Sequence, residues 1–209
     1  MDELLKMLQL SEEEKDGVVL AKEDRENLPA VKWMAAAKLL TAKGVQRDLT
    51  SLVSTMRSAW NPAREVTLRS IGKNLLVVQA FCLGDWKRIM EDGPWIFRGY
   101  ALMLEEFDGS TTIPSEIPSK VLGWIQIHKI PHLFRTEAIV KQLAAKVGEV
   151  QEIEMKAIAS RTGDFHRVRV KLAAAKPLIR VVTLAPEGQA RILLQVKYEK
   201  LPRFCATAG

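Results

Sequence analysis

Apolar positions along the chain switch between two spacings, and the switches predict the elements. The run from Val31 to Leu40 is apolar, with Trp33 and Lys38 inside it, and reads as a first strand; its alanines leave a helix open as the alternative. From about Arg47 to Trp60 the apolar residues Leu49, Leu52, Val53, Met56 and Trp60 fall on one helical face. Asn61-Pro62 ends that helix. Val66, Leu68 and Ser70 alternate with Thr67, Arg69 and Ile71, which is strand spacing. Gly72-Lys73-Asn74 predicts a turn, and Leu75 to Phe81 a second β-rich run. Asp85 is placed to cap a short helix carrying Trp86, Ile89 and Met90, stopped by Gly93-Pro94. Tyr100 to Leu104 closes the series as a strand. The order β-α-β-β-α-β is the ferredoxin-like pattern also used by RNA-recognition domains.

Residues 109–119 are rich in Ser, Thr and Pro, lack periodicity and predict an extended linker. The pattern then begins again over residues 120–204. Val121 to His128 reads as a strand. Thr136 is a good N-cap for a helix whose face is Ile139, Val140, Leu143 and Val147, and Gly148 is expected to close it as a C′ residue. Val150 to Ile158 and Phe165 to Leu172 read as strands. Where a second helix would stand, Leu178 to Leu184 and Arg191 to Tyr198 predict a hairpin around Ala185-Pro186-Glu187-Gly188. The expected fold class is therefore α+β: two ferredoxin-like or RNA-recognition-like units with antiparallel sheets, residues 29–108 and 120–204, the second a β-α-β-β plus hairpin variant.

Charge divides the chain further. Residues 1–28 carry 4 basic and 9 acidic side chains, with Leu4, Leu5, Leu8 and Leu10 as a weak helical stripe, and predict an acidic N-terminal arm. Such an arm is either a solvated tail or, given its charge, a competitor for a basic groove. Residues 109–209 carry 16 basic and 8 acidic side chains, so the net charge of +6 is concentrated in the second half. Concentrated positive charge favours polyanions through counterion release; surface solvation is the plainer use of the same residues. With 47% hydrophobic residues a core can be buried. No apolar run nears the ~20 residues of a membrane span. The acidic opening lacks the basic and apolar regions of a signal peptide. Two cysteines, Cys82 and Cys205, argue against a disulfide scaffold and for a reducing, intracellular compartment, nuclear or cytoplasmic.

Side chains alternate along a strand. Phe165, Arg167, Arg169 and Lys171 thus share one face, and Trp124, Gln126 and His128 share a face of the first strand of the same unit. If the strands are neighbours, one open sheet face offers rings to stack on bases and cations to pair with phosphates. Arg191 and Lys197 alternate outward on the hairpin with Gln195. The plain alternative is a charged face that keeps a sheet soluble. Trp60 and Trp95 read as core anchors. His128, His132 and His166 lack metal-ligand spacing; no nucleophile elbow, phosphate loop or carboxylate pair stands out, so no enzyme, cofactor or small-molecule substrate is expected.

Three stretches carry a resemblance: Asp92-Gly93-Pro94-Trp95-Ile96-Phe97-Arg98-Gly99; Trp124-Ile125-Gln126-Ile127-His128-Lys129-Ile130-Pro131; and Arg167 to Leu172 with Lys176-Pro177-Leu178 and Tyr198-Glu199-Lys200-Leu201-Pro202-Arg203-Phe204-Cys205. In this order they resemble the plant family called domain of unknown function 4283, common in LINE-type retroelement proteins. The resemblance implies a CCHC zinc knuckle after the last stretch, its first ligand at Cys205. Position 208 is Ala and the sequence given ends at Gly209, so no zinc site is expected within it.

These readings lead to a non-enzymatic module, of retroelement origin by resemblance, that binds single-stranded RNA or DNA with little sequence preference. The residues expected to carry it are Trp124, Gln126, His128, Phe165, Arg167, Arg169, Lys171, Arg191 and Lys197. The alternative is a protein-interaction module, a domesticated copy that docks host or foreign proteins through a strand edge or a tryptophan-lined groove.

Overall fold

The computed structural model describes residues 9, 11–15, 17–19, 21, 33–41, 48–161 and 163–202. Met1–Val31 and Lys32–Gly209 form separate compact units. In the first, a single helical turn, Glu12–Lys15, follows a capping box: the Glu14 amide donates to Ser11 Oγ, and the Ser11 amide to Glu14 Oε2. The leucine stripe Leu4, Leu5, Leu8 and Leu10 lies outside the described residues.

Among the described residues the second unit is mixed α/β, with two antiparallel five-stranded sheets and three α-helices. Its elements are β1 Met34–Leu39, α1 Leu49–Trp60, β2 Val66–Gly72, β3 Leu75–Ala80, α2 Leu83–Glu91, β4 Trp95–Phe97 and β5 Tyr100–Glu106. They continue as β6 Lys120–His128, α3 Glu137–Ala145, β7 Glu149–Ile158, β8 Phe165–Ala173, β9 Val181–Leu184 and β10 Ile192–Glu199. The strand orders are β2-β3-β1-β5-β4 and β7-β8-β6-β10-β9. Each strand of the second sheet thus takes the place of its counterpart in the first. Segment 107–119 between the sheets has no regular structure, though Pro114 and Pro118 are buried.

The alanine-rich run is a strand, not a helix: β1 is the centre of its sheet, and Ala35, Ala36 and Ala37 are wholly buried between β3 and β5. Small side chains there let the sheet pack closely. Leu52, Met56 and Trp60 of α1 lie over Ala37, Leu76, Val78 and Phe97, and Asn61 ends the helix in the left-handed conformation. Trp60 meets Trp95 edge-on at 6.3 Å, and Trp95 Nε1 donates to the Ile89 carbonyl at 2.7 Å, so both tryptophans anchor the core.

Three local expectations need correction. Asp85 does not cap its own helix; Cys82 holds that position, and buried Asp85 reaches back to accept from the Ala63 and Arg64 amides, both at 2.9 Å. Gly148 is not a left-handed cap. Lys146 ends α3 in right-handed geometry, and glycine is required because a Cβ at 148 would stand 2.7 Å from the Lys171 carbonyl oxygen. β4 is a strand the sequence reading passed over. It pairs with β5 across Arg98-Gly99, both at positive φ (50° and 87°), the geometry of a tight hairpin turn.

The second sheet packs Ile125, Ile127, Val168, Val170, Leu194 and Val196 against Val140, Leu143 and Ala144 of α3. Thr136 caps that helix, accepting from the Ile139 amide at 3.4 Å. The predicted hairpin is β9–β10. No helix corresponding to α2 follows β8; the short segment 174–180 stands in its place.

Candidate nucleic-acid interface

β6 and β8 are neighbours, the condition on which a shared face depended, and β10 and β7 flank them. The register sets two rows across four strands on the face away from α3. One is Lys197, Gln126, Arg167, Glu154; the next is Glu199, Trp124, Arg169, Glu152. Leu122, Lys171 and Glu149 form a shorter third row. Seven of the nine expected residues stand together here: Trp124, Gln126, His128, Arg167, Arg169, Lys171 and Lys197. Phe165 is beside them but buried. Arg191 lies six residues from Lys197 along the hairpin, about 20 Å at strand rise.

The basic face is not open positive charge. Arg167 donates through Nε and Nη2 to the Glu199 carboxylate (2.9–3.1 Å) and through Nη1 to Glu154 at 2.8 Å. Its guanidinium lies 3.9 Å from the Trp124 ring centroid, so one face of that ring is covered. Gln126 Nε2 donates to Glu199 at 2.8 Å, which leaves Oε1 to accept from His128 Nε2–H at 3.0 Å. Burial pulls Glu199 up, but hydrogen bonds from Arg167 and Gln126 together with the Arg167 charge outweigh it and hold the carboxyl below its ordinary value.

Arg169 and Lys171 serve the junction between the sheets. Arg169 Nη2 donates to the Gly93 carbonyl at 3.1 Å and faces Glu152 at 4.0 Å, while Lys171 reaches Glu105 of β5 at 3.6 Å. Ala101 and Met103 pack against Val121 alongside. His128 and Phe165, expected as outward platforms, are buried, at 3% and 9% exposure, and stack on each other at 5.1 Å. Burial, with Lys197 and Lys129 adding to it, pushes His128 down from the ordinary histidine value; burial and Arg135 do the same to His166.

The residues missed by sequence reasoning are the acids: Glu105, Glu152, Glu154 and Glu199. The signal was present in β7, where Glu149, Glu152 and Glu154 lie opposite Lys171, Arg169 and Arg167. Opposite charges across neighbouring strands are a recurring stabilising pair.

Among the described residues no group of three or more His, Cys, Asp or Glu could hold a metal, and no helix is long and apolar enough to cross a membrane. Cys205, the position of the expected knuckle ligand, lies outside them. No curated protein matches the chain. One family model does match, from β1 through β5 into the segment that follows; the second sheet, with every candidate interface residue, lies beyond that stretch. That model, described as Domain of unknown function (DUF4283), matches residues 36–113, less than half of the chain.

Proposed function

We propose that the chain is a non-enzymatic module that holds single-stranded nucleic acid with little sequence preference. The observation that supports this is uncompensated charge on the second sheet and its connections. Lys120, Arg135, Arg167, Arg169 and Lys171 are held by carboxylates. Lys129, Lys141, Lys146, Lys156, Lys176 and Arg191 are exposed and have no carboxylate within ion-pair reach among the described residues. Free exposed cations gain counterion release on meeting phosphates; cations already paired must first give up a carboxylate. The reading of two ferredoxin-like, RNA-recognition-like units, 29–108 and 120–204, is supported by the matching strand orders, the second unit lacking its second helix. A retroelement origin and a nuclear or cytoplasmic location rest on the resemblance and the cysteine usage.

The test is fluorescence anisotropy of a labelled mixed-sequence single-stranded RNA at low and physiological salt. Micromolar binding that weakens steeply with salt is the expected result. No binding at low salt overturns the proposal and favours the second reading, a protein-docking module. That reading has its own support in β9, an edge strand with Val181 47% exposed beside Leu193 at 71%.

A further inference from the structure

The second sheet lacks the helix that covers the corresponding part of the first. Segment 174–180 leaves a groove between itself, the end of α3 and the start of β7, with a cavity of about 370 Å³. Its apolar wall includes Leu178, Ile179 and Tyr198, the last on the helix side of β10 with its hydroxyl donating to the Ile179 carbonyl at 2.7 Å. Four lysines line it, Lys120, Lys146, Lys171 and Lys176, against one acid, Glu149. Glu149 is occupied by Lys120 at 2.7 Å and Lys171 leans to Glu105, so Lys146 and Lys176 carry the free charge. The carbonyls at the end of α3 do not repel an anion unscreened: Leu143 accepts from the Lys146 amide, and Ala144 from those of Val147 and Gly148.

We infer that this groove, rather than the paired sheet face, seats a nucleotide of the bound strand, its phosphate between Lys146 and Lys176 and its base against Leu178, Ile179 and the Tyr198 ring. The inference rests on the nucleic-acid reading above. Volume and wall suit a flat ring, charge suits a phosphate, and the sheet face supplies no free cation pair beside its one tryptophan ring, which Arg167 already covers on one side.

The experiment repeats the RNA titration with three surface variants of the full chain, each first checked for native circular dichroism. K146A/K176A removes the proposed phosphate contacts. R69A/K73A removes the same charge at β2, the edge strand of the first sheet, and the turn that follows it. I179W fills the groove without changing charge. With the one seated phosphate lost, the salt slope falls by about 0.7, so the first variant is expected to lose about 2.6-fold less affinity than wild type between roughly 50 and 200 mM salt. It should also bind at least tenfold more weakly at the lower salt, the control should stay within about twofold, and I179W should weaken binding severalfold. Equal losses in the two charge variants, or unchanged binding by I179W, overturn the groove while leaving nucleic-acid binding intact. Absence of binding by the wild type overturns both.

Discussion

Replacing Arg167 with Ala tests whether the outer face is a structural charge network. The guanidinium is 28% exposed and Glu199 24%, so both are mostly withdrawn from water. The substitution deletes every hydrogen bond from Arg167 to Glu199 and Glu154 and uncovers Trp124. Hydrogen bonds to charged groups contribute about 1.5–3 kcal/mol, and a partly desolvated cation over an aromatic ring about 1; solvent screening of the half-open Glu154 side discounts the sum. A loss of about 2–3 kcal/mol at pH 7 follows, roughly 5–10 °C in melting temperature for a chain of this size. The sign with pH is definite. In the wild type Glu199 is held below its ordinary value, so its contribution is complete above the ordinary carboxylate range and lost as pH falls through the folded value. In the variant only burial and weaker partners remain, its value rises, and protonation relieves the cost. The gap between the two proteins therefore narrows from pH 7 to pH 4. Urea unfolding followed by tryptophan fluorescence at both pH values measures it. A variant within about 0.5 kcal/mol of wild type at pH 7, or a gap that does not change with pH, refutes the reasoning.

Gly148→Ala should cost about 1–3 kcal/mol, because its methyl must displace the Lys171 carbonyl or the helix end, and thermal melts will show it. Thr136→Ala should cost about 1 kcal/mol in urea unfolding, with Thr136→Ser recovering most of it, if the hydroxyl caps α3. Stability should also fall as pH drops below the ordinary histidine value: buried His128 and His166 are pushed down in the folded state, so the unfolded chain takes up protons there first. Equal urea midpoints at pH 7.5 and 5.5 would count against that burial.

Much of the fold was legible because alternation and helical spacing are local properties. The strands β6, β7 and β8, the cap at Thr136 and the β9–β10 hairpin all sit within a residue or a few of where the pattern put them. Two helical cues pointed wrongly. Alanines 35–37 have high helix propensity, yet burial between two strands outweighs it. Asp85 has the identity of a cap, yet its partners are two amides more than twenty residues earlier.

The candidate site shows the same division more sharply. Alternation by itself determined that Trp124 and Gln126 share one face of β6, and Arg167, Arg169 and Lys171 one face of β8, since side-chain direction in a strand is set by the backbone. What those faces do depended on strand order and register, which are long-range. Only the sheet placed β7 and β10 beside the arginines and so brought Glu154 and Glu199, distant in sequence, into contact with Arg167. Only the packing of the two sheets turned Arg169 toward Gly93 and Lys171 toward Glu105. The excess of positive charge was written in the composition. Which cations remain free was decided by tertiary structure, because a charge is compensated by whatever the fold sets within a few ångströms of it.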